Sequence, residues 1–224
     1  MGIEKNIIEE VAEPFCHICN ESFLGGDFPA EMKVARVIPI FKSDSTHELG
    51  NYRPISILAQ FSKILEKLIL NRMISFLNKY NILTKNQYGF RKGFTTEFAV
   101  VDMLEYITDK LDASDSVATV FIDLRKAFTV DTVHHDILLK KLENYGFKGK
   151  SHYLLRNYFA NRRQYVQLET SFVDAYSNSN YGETGCPSGS FLNSTAKIRS
   201  SMQDIICGVP QGSVLGPLLF YYFY

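Results

Sequence analysis

The chain has 224 residues, 46% of them hydrophobic, enough for a real core in one domain or two closely packed subdomains. No apolar run is long enough to span a bilayer, Met1-Gly2-Ile3-Glu4-Lys5 lacks a signal-peptide pattern, and four irregularly spaced cysteines make no disulfide framework. These features argue against a bilayer-spanning helix and a secreted disulfide scaffold, and an intracellular chain, in nucleus or cytoplasm, is expected. The formal net charge is zero, yet it is segregated: residues 1–31 carry a net −6, 32–92 carry +8, 93–137 carry −6, 138–165 carry +6 and 166–224 carry −2. The two basic blocks are candidates for a phosphate backbone, with a mixed-sign surface as the plain alternative.

Residues 3–24 read as an amphipathic helix. Ile7, Ile8, Val11, Phe15, Ile18 and Cys19 fall near helical spacing, interleaved with Glu9, Glu10, Glu13 and Glu21. Gly25-Gly26 end it, and Pro14 is expected to break or kink it. Cys16-His17-Ile18-Cys19 invites a zinc site, but zinc takes about four ligands, usually in two pairs. Cys186 and Cys207 stand alone, so core or surface cysteines are expected. Val34 to Lys42 alternates and is rich in β-formers, which predicts a strand. Ser43 to Gly50 predicts a hairpin loop, followed by Asn51-Tyr52-Arg53-Pro54-Ile55-Ser56.

Residues 57–80 predict a long helix with a core stripe of Ile57, Phe61, Ile64, Leu65, Leu68, Ile69, Met73, Phe76 and Leu77. Lys63, Lys67, Arg72 and Lys79 lie among them, facing either nucleic acid or solvent. Gln87-Tyr88-Gly89-Phe90-Arg91-Lys92-Gly93 combines turn glycines with an aromatic and basic pairing suited to a nucleic-acid strand. Thr95 or Thr96 would cap a helix over 96–112, with Phe98, Val101, Met103, Leu104 and Ile107 as its apolar positions.

Val117-Ala118-Thr119-Val120-Phe121-Ile122 predicts a buried strand ending at Asp123. A carboxylate there is costly unless paired or coordinated, and a divalent metal is one partner. Capping the next turn is the simpler role for a lone Asp. Residues 136–146 and 151–160 predict two helices, the first stopped by Gly146. Arg162 to Leu168 predicts a strand. About residues 174–200 are Ser-, Asn- and Gly-rich, which predicts a flexible insertion. Then Cys207-Gly208-Val209-Pro210-Gln211-Gly212-Ser213 forms a tight turn before an apolar segment. Its glycines allow close backbone approach, and Gln211 offers an amide donor and acceptor.

Phe121-Ile122-Asp123-Leu124-Arg125-Lys126-Ala127-Phe128 resembles motif A of reverse transcriptases, and Gly208-Val209-Pro210-Gln211-Gly212-Ser213 resembles motif B. The resemblance is to non-LTR retrotransposons close to the jockey-like elements, and it covers roughly residues 10–170 and 205–220. It implies an α+β fold, the fingers and partial palm of a right-hand polymerase: an N-terminal helical extension over 1–31, fingers over 32–115, and a partial palm over 116–224. It also implies RNA-directed DNA polymerase chemistry with RNA template, DNA primer and deoxynucleoside triphosphates as partners.

By the same resemblance, Asp123 is the catalytic carboxylate and, with the Leu124 carbonyl, a ligand of Mg2+. Arg53, and more weakly Lys42, would contact the triphosphate, as a guanidinium fork suits phosphate oxygens. Arg91, with Gly89, would lie near the template or incoming nucleotide. Phe128 matches the steric gate against a 2′-hydroxyl, and Gln211 and Gly212 match the grip on the template and nascent pair. Thr129-Val130 read as a two-residue insertion after motif A, and His134 and His135 as structural. The family's second carboxylate source, an Asp pair in motif C, occurs nowhere in these 224 residues. Little or no polymerase activity is therefore expected of them, with a noncatalytic nucleic-acid-binding module or a nonfunctional remnant as the alternatives.

Overall fold

The chain combines helices with one mixed sheet, and three of the described helices end by a shared device. A computed structural model describes residues 3–91, 93–122, 133–173 and 193–223. Helix α1 spans Ile3–Gly25 and strand β1 Val34–Phe41, followed by β2 Tyr52–Ile57. Helices α2 Gln60–Lys79, α3 Thr96–Asp112, α4 His135–Asn144 and α5 Lys150–Phe159 come next. Then follow β3 Arg163–Val173, β4 Asn193–Arg199, β5 Gln203–Asp204 and α6 Gly216–Phe223.

At the end of α4, Gly146 takes a φ of 101°. Its N–H donates to the Glu143 carbonyl, and the Phe147 N–H reaches back to Leu142, both at 3.0 Å. These paired reverse bonds satisfy carbonyls that the helix leaves open. Asn81 after α2 and Ser114 after α3 also have positive φ and make the same two bonds, to Asn78 and Leu77 and to Leu111 and Lys110. Only the first of these stops carries glycine. α1 differs from expectation in running unbroken through Pro14. Proline removes one N–H, and here both Pro14 and Glu10, whose carbonyl loses its donor, lie on the exposed face.

The sheet order is β2-β1-β3-β4, with β5 also on β3. β1 and β2 form an antiparallel hairpin in which Pro39 faces Pro54. Lys42 N–H donates to Asn51 O at 2.8 Å just beyond the ladder. Antiparallel pairs alternate between bonded and non-bonded, so Pro39 and Pro54 fall at non-bonded positions, where an N–H would point away from the hairpin. Proline has none to offer. On β1 this coincides with the end of the parallel pairing to β3, which stops at Val37↔Val166. On β2, the next outward N–H is that of Ser56.

The core is mostly helical. Leu65, Ile69, Met73 and Leu77 of α2 meet Leu138, Leu139 and Leu142 of α4, Leu154, Leu155, Tyr158 and Phe159 of α5, and Leu215, Leu219 and Tyr222 around α6. Cys19 joins them from α1, where burial pushes its thiol pKa up, while Cys16 is exposed.

Four further expectations change. Ile57 belongs to β2, not to α2. Phe61, Ile64 and Leu68 of the stripe are exposed, because α2 is rotated to bury Ser62 and Glu66 instead. Residues 117–122 form no strand, and Val120, Phe121 and Ile122 are about four-fifths exposed. β-formers alone do not make a strand: without a partner to pair with, the run has no ladder to join. Last, residues 193–199 form β4, paired with β3 from Gln167↔Arg199 to Val173↔Asn193, although composition placed them in a flexible insertion. Backbone pairing needs little side-chain burial, so a Ser- and Asn-rich segment qualifies. Residues 174–192 of that insertion lie outside the described residues.

Candidate nucleic-acid site at the glutamine turn

Residues 207–215 wrap the edge of β2. Ser56 N–H, the outward donor, binds the Gln211 carbonyl at 2.7 Å. The turn thereby covers an open sheet edge. Gly212 has a φ of 113°, and a Cβ there would lie 2.7 Å from the Ser56 carbonyl, so both conformation and space demand glycine.

Two further anchors hold the turn. On its upstream side, Gly208 N–H donates to the Val133 carbonyl at 2.7 Å, and the His135 ring donates from Nε2 to the Gly208 carbonyl at 2.7 Å. His135 also stacks on Phe159 with ring centroids 4.5 Å apart. Burial holds its pKa below the usual value, partly offset by the bond to Gly208. The structural role read for His135 is what the geometry displays. On the downstream side, the Glu66 carboxylate takes the N–H groups of Val214 and Leu215 at 2.6 and 3.4 Å, and Ser213 Oγ accepts from Gly216 N–H at 3.0 Å.

Beneath the turn lies a buried polar cluster that the sequence reading passed over. Glu66 is fully buried, and Tyr158 donates its hydroxyl to it at 3.2 Å. Burial raises the Glu66 pKa, and the bonds from Val214 and Leu215, with the nearby Arg162 charge, pull it back. Burial, then the Glu66 charge, pushes the Tyr158 hydroxyl far up. Arg162 is also fully buried, with its guanidinium 4.5 Å above the Tyr158 ring and Nη1 donating to the Tyr158 carbonyl. Its Nε and Nη2 have no hydrogen-bond partner among the described residues. Lys33 donates to Asn157 at 2.9 Å, and burial followed by Arg162 lowers its pKa. The signal for Glu66 was present: it sits at core spacing between Ser62 and Ile69, a charge inside an apolar stripe.

The expected site residues fall into three groups. Lys42 and Arg53 are exposed on the β1–β2 hairpin. Next to Arg53, Pro54 and Ser56 line a cleft of about 150 Å³ with Val37, Gln164, Gly208 and Gln211. The fold therefore brings the hairpin and the glutamine turn together. Gly89 and Arg91 line a separate cavity of about 240 Å³ with Ile74, Phe94, Pro217 and Tyr221. There Arg91 donates to the Thr84 carbonyl at 2.9 Å and lies 4.2 Å over the Phe94 ring. Asp123, Leu124 and Phe128 lie outside the described residues, as does the Thr129-Val130 insertion. Among the described residues, no three His, Cys, Asp or Glu side chains are grouped to hold a metal ion.

A sheet-edge turn carrying Gly-Val-Pro-Gln-Gly-Ser against a basic hairpin defines a class of protein, and comparison with known sequences agrees. The profile of the family described as reverse transcriptase (RNA-dependent DNA polymerase) matches residues 40–224. The chain belongs to that family. Within it, this is a jockey-like domain of the non-LTR retrotransposon type, an α+β arrangement of helices on a mixed sheet. It is 32% identical over 194 residues to the probable RNA-directed DNA polymerase from transposon BS of Drosophila melanogaster. It is 30% identical over 196 residues to the RNA-directed DNA polymerase from mobile element jockey of the same species. These matches cover 86% and 87% of the chain but 18% of each relative, so the chain spans about a fifth of the curated relatives it matches.

Proposed function

We propose that these residues form the fingers (32–115) and part of the palm (116–224) of an intracellular RNA-directed DNA polymerase, and that they hold an RNA template, a DNA primer and deoxynucleoside triphosphates. The observation that carries this reading is the bond from Ser56 N–H to the Gln211 carbonyl, which seats the motif B glutamine beside the Arg53 hairpin. In this reading Arg53, assisted by Lys42, meets the triphosphate. Gln211 and Gly212 meet the template and nascent pair, and Arg91 with Gly89 lies along the template. Phe128 screens the sugar 2′-position. Asp123 and the Leu124 carbonyl hold Mg2+, whose chemistry in the family is to activate the primer 3′-hydroxyl and steady the leaving pyrophosphate.

These 224 residues contain one of the family's three metal carboxylates, so the reading expects them to bind a primer–template without extending it. Fluorescence anisotropy of a labelled RNA template annealed to a DNA primer tests this. Binding should weaken steeply with salt, as phosphate contacts require. Arg91→Ala, at the residue placed along the template, should weaken it about tenfold, the scale of a charged hydrogen bond. Salt-independent binding, or no binding, contradicts the reading, and extension of the primer by residues 1–224 contradicts the expected inactivity.

A further inference from the structure

The glutamine turn is held from below by a carboxylate that belongs to another helix. Glu66 Oε2 accepts the N–H groups of Val214 and Leu215, and Oε1 accepts the Tyr158 hydroxyl. Val214 and Leu215 immediately precede α6, where N–H groups have no partner within the helix. A carboxylate suits that position because the helix start is partially positive. The local cap, Ser213, is already committed to Gly216. Glu66 therefore reaches across from α2 to satisfy donors that the turn cannot satisfy itself.

A buried carboxylate is costly in itself, and an apolar residue at 66 alone would strand the buried Arg162 charge, so countercharge to Arg162 is one reason for a glutamate here. An apolar side chain would fit the α2 stripe between Leu65 and Ile69. What it would also lose is directional hold on the Val214 and Leu215 backbone, three and four residues from Gln211. The opposite side of the turn is fixed by Ser56 and by the Gly208 bonds. Glu66 completes a three-point mount.

We propose that Glu66 is a positioning residue: its carboxylate holds the Val214 and Leu215 amides and so sets where Gln211 stands for primer–template binding. This rests on the function proposed above. The alternative is that Glu66 serves only as a buried countercharge to Arg162. The two roles part at conservative substitutions. Glu66→Gln keeps an amide oxygen at the same reach and loses the charge. Glu66→Asp keeps the charge and withdraws it by one methylene.

Hydrogen exchange of the Val214 and Leu215 amides, together with anisotropy of the primer–template complex, provides the test. Glu66→Asp should speed exchange at both amides and weaken binding by about tenfold, the scale of one lost hydrogen bond. Glu66→Gln should stay within about threefold of wild type in both. Gln211→Ala should weaken wild type but add little to Glu66→Asp, because both act through the same turn. The reverse order of the two variants, wild-type exchange at both amides in Glu66→Asp, or additive losses with Gln211→Ala overturns the proposal. A wild-type chain that fails to bind primer–template overturns the function, while exchange at the two amides still judges the mount.

Discussion

The glutamine turn and the stretch from α3 to residue 122 look equally important in the sequence, and the structure treats them oppositely. The turn is irregular, yet bonds from β2, α2 and the start of α4 fix it. The other stretch has strong local signals. Thr95 caps α3, accepting the Phe98 N–H at 3.4 Å, and the helix closes with two reverse bonds. Even so, no α3 side chain is buried, and Phe98, Val101, Leu104 and Tyr106 are all at least half exposed. Local pattern sets what a segment forms, and long-range partners decide whether it is held. The well-mounted region is the one that carries Gln211.

That contrast is open to measurement. The largest effect should come from paired leucine truncations. Leu65→Ala empties a fully buried site and should cost about 2–5 kcal/mol, whereas Leu104→Ala on α3 should cost less than about 0.5 kcal/mol by urea unfolding. Equal losses would break the comparison. Next is Gly212→Ala. The residue sits at a φ of 113°, with a new Cβ directed onto the Ser56 carbonyl, so a loss of about 2–3 kcal/mol is expected. Tyr158→Phe removes the hydroxyl that faces Glu66 and should cost about 1–2 kcal/mol, read as a lower melting temperature.

The smallest effect is one of pH. Burial keeps the His135 pKa below its ordinary 6.5, so the unfolded chain takes up a proton before the folded chain does. The stability that neutral His135 provides is present above pH 6.5 and is lost as pH falls through the folded pKa. Glu66 acts in the opposite sense, since its raised pKa makes the folded chain hold its proton to higher pH. Comparing wild type with His135→Phe isolates the histidine contribution. The variant should lose less stability between pH 7 and pH 5.5, and an identical pH profile would remove His135 from the account.

Periodicity and stop signals identified α1 to α5 and the β1–β2 hairpin because those features are local. Cys19 in the core and Thr95 as a cap were readable for the same reason. The rotation of α2 was not, because Ile64 and Leu68 have the same chemistry as Leu65 and Ile69, and only the neighbouring helices choose among them. The strand expected at 117–122 failed on a non-local fact, the absence of a pairing partner among the described residues. β4 was missed because main-chain pairing with β3 leaves little trace in a Ser- and Asn-rich segment. At the site, resemblance to family motifs pointed to Gln211, Gly212 and Arg53 as candidates, while Glu66 and Arg162 were hidden in apolar context. Glu66 was the more accessible of the two, a lone charge at core spacing.

The most direct test of the account is hydrogen exchange across the whole chain, with and without an RNA–DNA primer–template. If the hairpin and the glutamine turn form the binding surface, protection should rise over residues 52–57 and 207–216 and stay unchanged over 96–112. Protection confined to α3, or none at the turn under conditions where the chain is bound, would contradict it.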